Sequence, residues 1–114
     1  MRPDARAYLW DIQQAIEAIN RFLNGVTADD YGGSEIVRAA VERKFEIIGE
    51  ALNQIAKFDP GMVAQIPHFR AIISFRNLLI HGYAAVDDQR VLAIARSSLP
   101  ELSIAVGALL DERL

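Results

Sequence analysis

The sequence predicts an all-α fold, a bundle of four or five helices in a single domain over residues 1–114. Apolar residues recur at intervals of three and four along nearly the whole chain, which is the spacing of one helix face. No stretch of any length alternates between apolar and polar residues as a half-buried strand does. Residues that cap or interrupt helices divide the periodic segments from one another.

The first helix is predicted to begin after Asp4, which suits an N-cap, and to end at Asn24-Gly25. One short turn is expected at 27–31, followed by a linker at Gly32-Gly33. The apolar stripe of the first helix consists of Leu9, Ile12, Ile16, Ile19 and Leu23.

The second helix is predicted from Ser34, its N-cap, to Phe58, and Asp59-Pro60-Gly61 ends it. A loop that can hold one turn then leads to Pro67. The main stripe of this helix is Val37, Val41, Phe45, Ile48, Leu52 and Ile55. A second set widens that stripe, so we expect the helix to be covered on two sides: Ile36, Ala40, Ile47 and Ala51.

The third helix is predicted over Pro67–His81, with Gly82 as its C-terminal stop. Asp87 is expected to cap a fourth helix, and Pro100 within it predicts a kink or a split. The buried face of the third helix is predicted to be Phe69, Ile72, Ile73, Leu79 and Ile80. That of the fourth is predicted to be Val91, Ala95, Leu99, Leu102, Val106 and Leu109.

Composition limits the function. The net charge of −3 argues against a classical basic nucleic-acid binder, so any chemistry on nucleic acid needs a local basic site or one from a partner. The absence of cysteine excludes disulfides and thiolate metal sites, and a reducing cytoplasm is the expected compartment. No secretory apolar region follows Met1, and the longest nearly apolar run, 102–110, is shorter than the ~20 residues of a membrane span, so we expect no membrane association.

The most informative segment is Arg76-Asn77-Leu78-Leu79-Ile80-His81-Gly82-Tyr83, where three polar side chains converge at a helix end. Arginine neutralises phosphate, histidine transfers protons near neutral pH, and tyrosine can donate, stack or be modified. Asn77 and His81 are four residues apart and share a face. His68 lies thirteen residues from His81 without ligand spacing, so we expect it to be a surface residue or to support the site indirectly, and we expect neither a metal nor a cofactor. This set suits chemistry on phosphate esters.

Metal-independent RNA cleavage requires a base, an acid and positive charge on the transition state. One subunit supplies one histidine and one arginine in this motif, whereas a two-fold dimer that joins two motifs supplies two of each. A composite site in a homodimer is therefore expected. The alternatives are that Arg76 is an ordinary surface cation, that His81 only caps the helix end, and that Tyr83 only packs.

Two further residues are expected to support Arg76. Gly49 costs about 1 kcal/mol of helix propensity relative to alanine, and such a glycine usually allows two helices to approach closely. Glu50 follows it among apolar neighbours, so it is expected to be partly buried and paired with Arg76, which it would orient. Asn77 is expected to be structural and to bond backbone.

The motif resembles the Arg-x4-His-x-Tyr motif of HEPN domains, and the asparagine after Arg76 and the glycine after His81 resemble the HepT-like branch. Residues Phe45–Ala51 are similar to the second-helix signature of that branch, and the resemblance covers residues 5–110 or so. It implies an up-and-down, HEPN-like helical bundle that forms a homodimer. It also implies that Arg76 and His81 are catalytic.

The implied activity is that of a metal-independent endoribonuclease, the toxin of a type VII-like toxin–antitoxin pair, acting on tRNA or mRNA. The implied partner is a small nucleotidyltransferase antitoxin that attaches AMP to the motif tyrosine, here Tyr83. The alternative is a catalytically silent HEPN module that binds a nucleotide or serves as a scaffold for the nucleotidyltransferase. A plain helical dimerisation domain is a third reading, and it leaves the motif unexplained.

Overall fold

The computed structural model describes residues 4–82 and 86–112, and within these ranges all regular structure is helical. The predicted all-α bundle is thus confirmed, with four long helical segments and two short helices at the predicted turns. The helices are α1 (Ala5–Leu23), α2 (Ala28–Gly32), α3 (Glu35–Phe58), α4 (Pro60–Val63), α5 (Phe69–His81), α6 (Asp88–Ala93) and α7 (Leu99–Glu112).

The predicted helix caps are present. Asp4 accepts a hydrogen bond from the backbone N–H of Arg6, and the side chain of Ser34 accepts one from that of Val37. The carboxylate of Asp87 accepts from the N–H of Gln89 at 3.0 Å. These caps satisfy amide donors that would otherwise lack a partner at the helix starts, which is why the helices begin where the sequence indicated.

Helix α3 lies at the centre, because it packs against α1 on one side and α5 on another, while α7 packs against α1. The predicted stripes of α1 and of the last helix are buried, apart from the half-buried Leu23. Two predictions of burial are wrong. Ile36 is 82% exposed and Ile80 is 44% exposed, whereas Phe75, which was not predicted, is fully buried.

Residues Ile94–Ser98 form a π-helical segment that joins α6 to α7 in one continuous helix. The N–H of Leu99 donates to the carbonyl of Ile94, five residues back. Pro100 is the next residue, and it has no N–H to donate to the carbonyl four residues back. The wider π-helical turn before it accommodates this missing hydrogen bond. The predicted irregularity near Pro100 is thus a π-helical segment, and the helix is not split there.

The helix at 88–112 is long and apolar enough by composition to cross a bilayer, with a mean hydropathy of 1.3 over its most apolar window. A third of that window is buried, and the buried side chains Leu99, Leu102, Val106 and Leu109 belong to the same core as those of α1.

Candidate active site at the end of helix α5

Helices α3 and α5 approach each other most closely at Gly49. A Cβ atom added there would lie 2.2 Å from the Cβ of Arg76 and 2.7 Å from its Cγ. Contacts shorter than 3.0 Å are essentially never seen for real Cβ atoms, so glycine is required for this separation of the helices. The expected close approach at Gly49 is confirmed, and it places the stem of Arg76 directly on α3.

The guanidinium of Arg76 is held by two acceptors on different helices. Its Nη2 donates to Glu50 Oε2 at 2.5 Å, and its Nη1 donates to Asn77 Oδ1 at 2.9 Å. The other carboxylate oxygen of Glu50 accepts from Gln54 Nε2 at 2.8 Å, one turn along α3. The predicted Glu50–Arg76 pair is confirmed. Gln54 holds the Glu50 carboxylate in place, and that carboxylate in turn orients the Arg76 guanidinium.

Asn77 was expected to form a hydrogen bond with the backbone. Its side-chain oxygen instead accepts one from the Arg76 guanidinium. Gln54 was not singled out from the sequence, although it lies four residues after Glu50 on the same helix face, a spacing that pointed to it.

Arg76 is partly buried, since 21% of its side chain is exposed, whereas 44% of the Glu50 side chain is exposed. The guanidinium has five N–H donors, and the two bonds to Glu50 and Asn77 leave donor capacity for a further anion. Its Nε atom is buried and has no hydrogen-bond partner among the described residues. Arg76 is therefore a cation with a fixed orientation that can still bind an oxyanion.

His81 is the last residue of α5, and its side chain is exposed. The chain then turns through Gly82, whose φ of +62° is the left-handed conformation that ends many helices. Arg76 and His81 are five positions apart, a rise of ~7.5 Å along the axis and a turn of ~140° around it. Asn77 lies one turn before His81, so it stands beside both groups. Tyr83, the predicted modification site, lies outside the described residues.

His68 takes no part in this site. It precedes α5 in a left-handed conformation, and its Nε2 atom lies 2.6 Å from Glu101 Oε2 on α7. This agrees with the prediction of a surface residue.

Within 4–82 and 86–112, no three histidine or acidic side chains are grouped closely enough to hold a metal ion.

A second polar cluster joins α2, α3 and α6. Burial, followed by the nearby charge of Asp88, raises the pKa of the Glu42 carboxyl, while the Arg38 guanidinium opposes this and Glu46 adds to it. Burial also raises the pKa of the fully buried Tyr31, to which the charge of Glu42 contributes. This cluster was not anticipated from the sequence, because its members are brought together by the packing of three helices.

The site arranges an oriented guanidinium, a polar amide and an exposed imidazole along the last turns of one helix. An imidazole can accept or donate a proton, and a fixed guanidinium can stabilise charge on a phosphate. Such a set can act on a phosphodiester that reaches the end of α5.

The model of the HepT-like ribonuclease family matches residues 12–109. The probable ribonuclease HepT of Thermococcus cleftensis is 32% identical over 102 residues, which cover 90% of this chain and 92% of that relative. A Methanocaldococcus jannaschii protein named "Putative RNase" is 31% identical over 99 residues, covering 87% of this chain and 81% of the relative.

A second Methanocaldococcus jannaschii relative is named "Gamma-glutamylcyclotransferase and putative RNase" and is 30% identical over 112 residues. The match covers 98% of this chain but 50% of that relative, so the chain spans about half its length. No solved structure matches the chain at a significant level. The family model covers the helices that carry Glu50, Arg76 and His81. The chain therefore belongs to the HepT-like ribonuclease family.

Proposed function

We propose that this protein is a metal-independent endoribonuclease in which Arg76 and His81 carry the reaction. The observation that supports this most directly is the fixed orientation of Arg76 by Glu50 and Asn77, five residues before an exposed histidine. A surface arginine with no function has no need of two partners on two helices, because ordering a long side chain costs conformational entropy.

In the proposed reaction the 2′-hydroxyl of a ribose attacks the adjacent phosphorus. One imidazole accepts the hydroxyl proton, and an imidazolium donates a proton to the departing 5′-oxygen as the P–O5′ bond breaks. The guanidinium of Arg76 stabilises the extra negative charge on the phosphorane-like transition state. The products are a 2′,3′-cyclic phosphate and a 5′-hydroxyl, and no external water or oxidant is consumed.

We further propose that two chains form a homodimer through the side of α5 that carries Arg76. Phe69, Ile73, Arg76 and Ile80 follow one another at intervals of four, three and four residues, so they form one stripe. The apolar members of that stripe are incompletely buried in the single chain, with Ile80 44% exposed. A second copy on this stripe would bury it and bring two arginines and two histidines to one site.

The dimer proposal is tested by light scattering on the purified protein. Ile80→Asp places a charge in the stripe and is expected to give monomers, because an unpaired charge is costly to bury. Ile104→Asp is the matched control, since Ile104 is 76% exposed on α7 and does not belong to the stripe. A wild type that is monomeric at all concentrations would contradict the proposal.

The cellular role that we propose is that of a toxin in a type VII-like toxin–antitoxin pair in the cytoplasm. The partner would be a small nucleotidyltransferase that adds AMP to Tyr83. The support is the position of Tyr83 two residues after His81, where an added AMP would place negative charge and bulk beside the proposed phosphate site. Repulsion of RNA phosphate would then silence the enzyme.

The experiment that separates this function from a silent scaffold is controlled expression in a bacterial host. Growth arrest by the wild type, lost in His81→Ala at equal protein level, would support a ribonuclease toxin. Lys57→Gln is the control, because Lys57 is exposed near the far end of α3. Equal growth with the wild type and His81→Ala would favour the scaffold that only binds a nucleotide or the nucleotidyltransferase.

A further inference from the structure

The proposed active site is poorly supplied with positive charge. The chain carries a net charge of −3, and the charge of Arg76 is offset by the Glu50 carboxylate in direct contact with it. RNA affinity depends largely on cations that neutralise phosphates. A ribonuclease with this site therefore needs further cations along the path of its substrate.

The exposed face of the helix that follows the motif supplies them. Arg90 and Arg96 are both exposed there, and neither forms an ion pair with a described carboxylate. They are six residues apart, which is ~9 Å along the axis and about 120° around it, so they stand at the two edges of the exposed face and could contact different phosphates of one strand. The exposed residues on this stretch include three that are uncharged, Gln89, Ala93 and Ser97, whereas the exposed Asp87 and the half-buried Asp88 lie just before Arg90.

Both arginines are anchored in place. The guanidinium of Arg90 lies 5.7 Å from the ring centroid of Phe75, the residue immediately before Arg76. The Nη2 atom of Arg96 donates to the backbone carbonyl of Val26 at 2.7 Å, beside the start of α2. Arg90 therefore reaches α5 through the Phe75 ring, and Arg96 reaches the segment that precedes α2.

A cavity of about 390 Å³ opens on the same face. Its lining combines apolar surface from Ala28, Leu92 and Ala93 with polar groups from Gln89, Arg96 and Ser97. It is a shallow depression that is wide open to solvent, and its apolar floor could support one base. The acidic residues of α2, Asp29 and Asp30, do not line it, and the Asp30 side chain caps its own helix.

We propose that this cavity is a subsite for single-stranded RNA, which takes one nucleotide of the substrate away from the scissile phosphate. The base would rest on Leu92 and Ala93 with Gln89 and Ser97 at its polar edge, and Arg96 would contact a flanking phosphate. Arg90, at the other edge of the helix, would contact the RNA backbone on the α5 side of this subsite. This combination of a basic track with a surface for bases is how single strands are held by proteins. The proposal rests on the proposed function in naming RNA as the ligand.

The test measures binding rather than cleavage, so it does not depend on catalysis. The Kd of a fluorescein-labelled single-stranded RNA is determined by anisotropy with His81→Ala protein, which keeps the RNA intact. Arg96→Gln is then added to remove the cation, and Ala93→Phe is added to fill the cavity at unchanged charge. Ala93 is exposed, so a larger side chain is tolerated there. Lys57→Gln, a remote loss of one positive charge, is the control.

We expect Arg96→Gln to raise Kd about tenfold and to lower the slope of log K against log salt by about 0.7, the value for one lost phosphate contact with a single strand. Ala93→Phe is expected to raise Kd by a similar factor without changing that slope. Lys57→Gln should change Kd less than about twofold, on the order of a general charge effect. Equal Kd values for Arg96→Gln, Ala93→Phe and the parent would overturn the subsite.

Cleavage by the wild type is measured in parallel. RNA that is bound through the cavity but not cut would refute the proposed nuclease while leaving the subsite supported. RNA that is cut with no change in Kd in either cavity variant would refute the subsite alone.

Discussion

Replacement of Gly49 by alanine tests the contact that places Arg76 on α3. In an unconstrained helix this substitution stabilises by about 1 kcal/mol, because glycine is the poorer helix former. Here the new Cβ would lie 2.2 Å from the Cβ of Arg76 and 3.3 Å from the carbonyl oxygen of Ile72. Reaching the ordinary contact distance of 3.4 Å requires a displacement of about 1.2 Å between α3 and α5.

The first contact is with the stem of Arg76 and not with a flexible chain end, so the helices themselves have to separate. Overpacking of this kind typically costs about 1–3 kcal/mol, which exceeds the gain in propensity. We expect Gly49→Ala to lower the free energy of unfolding by about 1–2 kcal/mol in urea denaturation. The displaced Arg76 would also lose its alignment with Glu50 and Asn77, and a misplacement of about 1 Å at a catalytic group can cost about a hundredfold in rate.

Gly107→Ala provides the matched control. Gly107 also lies within a helix, but an added Cβ would meet only the side-chain nitrogen of Gln13, at 3.3 Å. A shift of a few tenths of an ångström in that amide, which is hydrogen-bonded to Ser103, is enough to relieve the contact. We expect this variant to be as stable as the wild type or more stable by up to about 1 kcal/mol. A Gly49→Ala protein that is equally stabilised and fully active would refute the close approach of α3 and α5.

Two further predictions concern charged residues of α3. Glu50→Gln should change the free energy of unfolding by less than about 1 kcal/mol, because the Glu50–Arg76 pair is partly exposed. It should nevertheless lower the kcat for RNA cleavage about tenfold, because Arg76 loses its orientation. A rise in KM with unchanged kcat would contradict this. Glu42→Gln should raise Tm at pH 7, because the folded-state pKa of Glu42 is raised and its ionisation therefore destabilises the fold. That advantage should vanish below about pH 4, where Glu42 is protonated in both states, and a gain that persists in acid would contradict the assignment.

The sequence alone predicted the structural features that depend on residues close together in the chain. Asp4, Ser34 and Asp87 cap helices where expected, because capping depends on residues within one turn. The pairing of Glu50 with Arg76 also followed from the sequence, since a glycine in a helix indicates a close neighbouring helix and a carboxylate among apolar residues needs a cation beside it.

Features that depend on how helices pack were not predicted. Leu78, Leu79 and Ile80 make the end of α5 apolar on several sides, so periodicity alone did not show that the core side is centred on Ile72 and Phe75. The contact of α5 with α3 decides this orientation, and it leaves Ile80 exposed. Arg90 gave no signal either, because its partner Phe75 is fifteen residues away in the sequence.

The most direct test of the proposed function is the cleavage of total tRNA and a model mRNA by purified protein in EDTA. Intact mass spectrometry first establishes that Tyr83 carries no AMP, and the wild type is compared with Arg76→Ala and His81→Ala. We predict that cleavage persists in EDTA, is lost in both variants and leaves 2′,3′-cyclic phosphate ends. Cleavage that EDTA abolishes, or that either variant retains at the wild-type rate, would contradict the proposed mechanism.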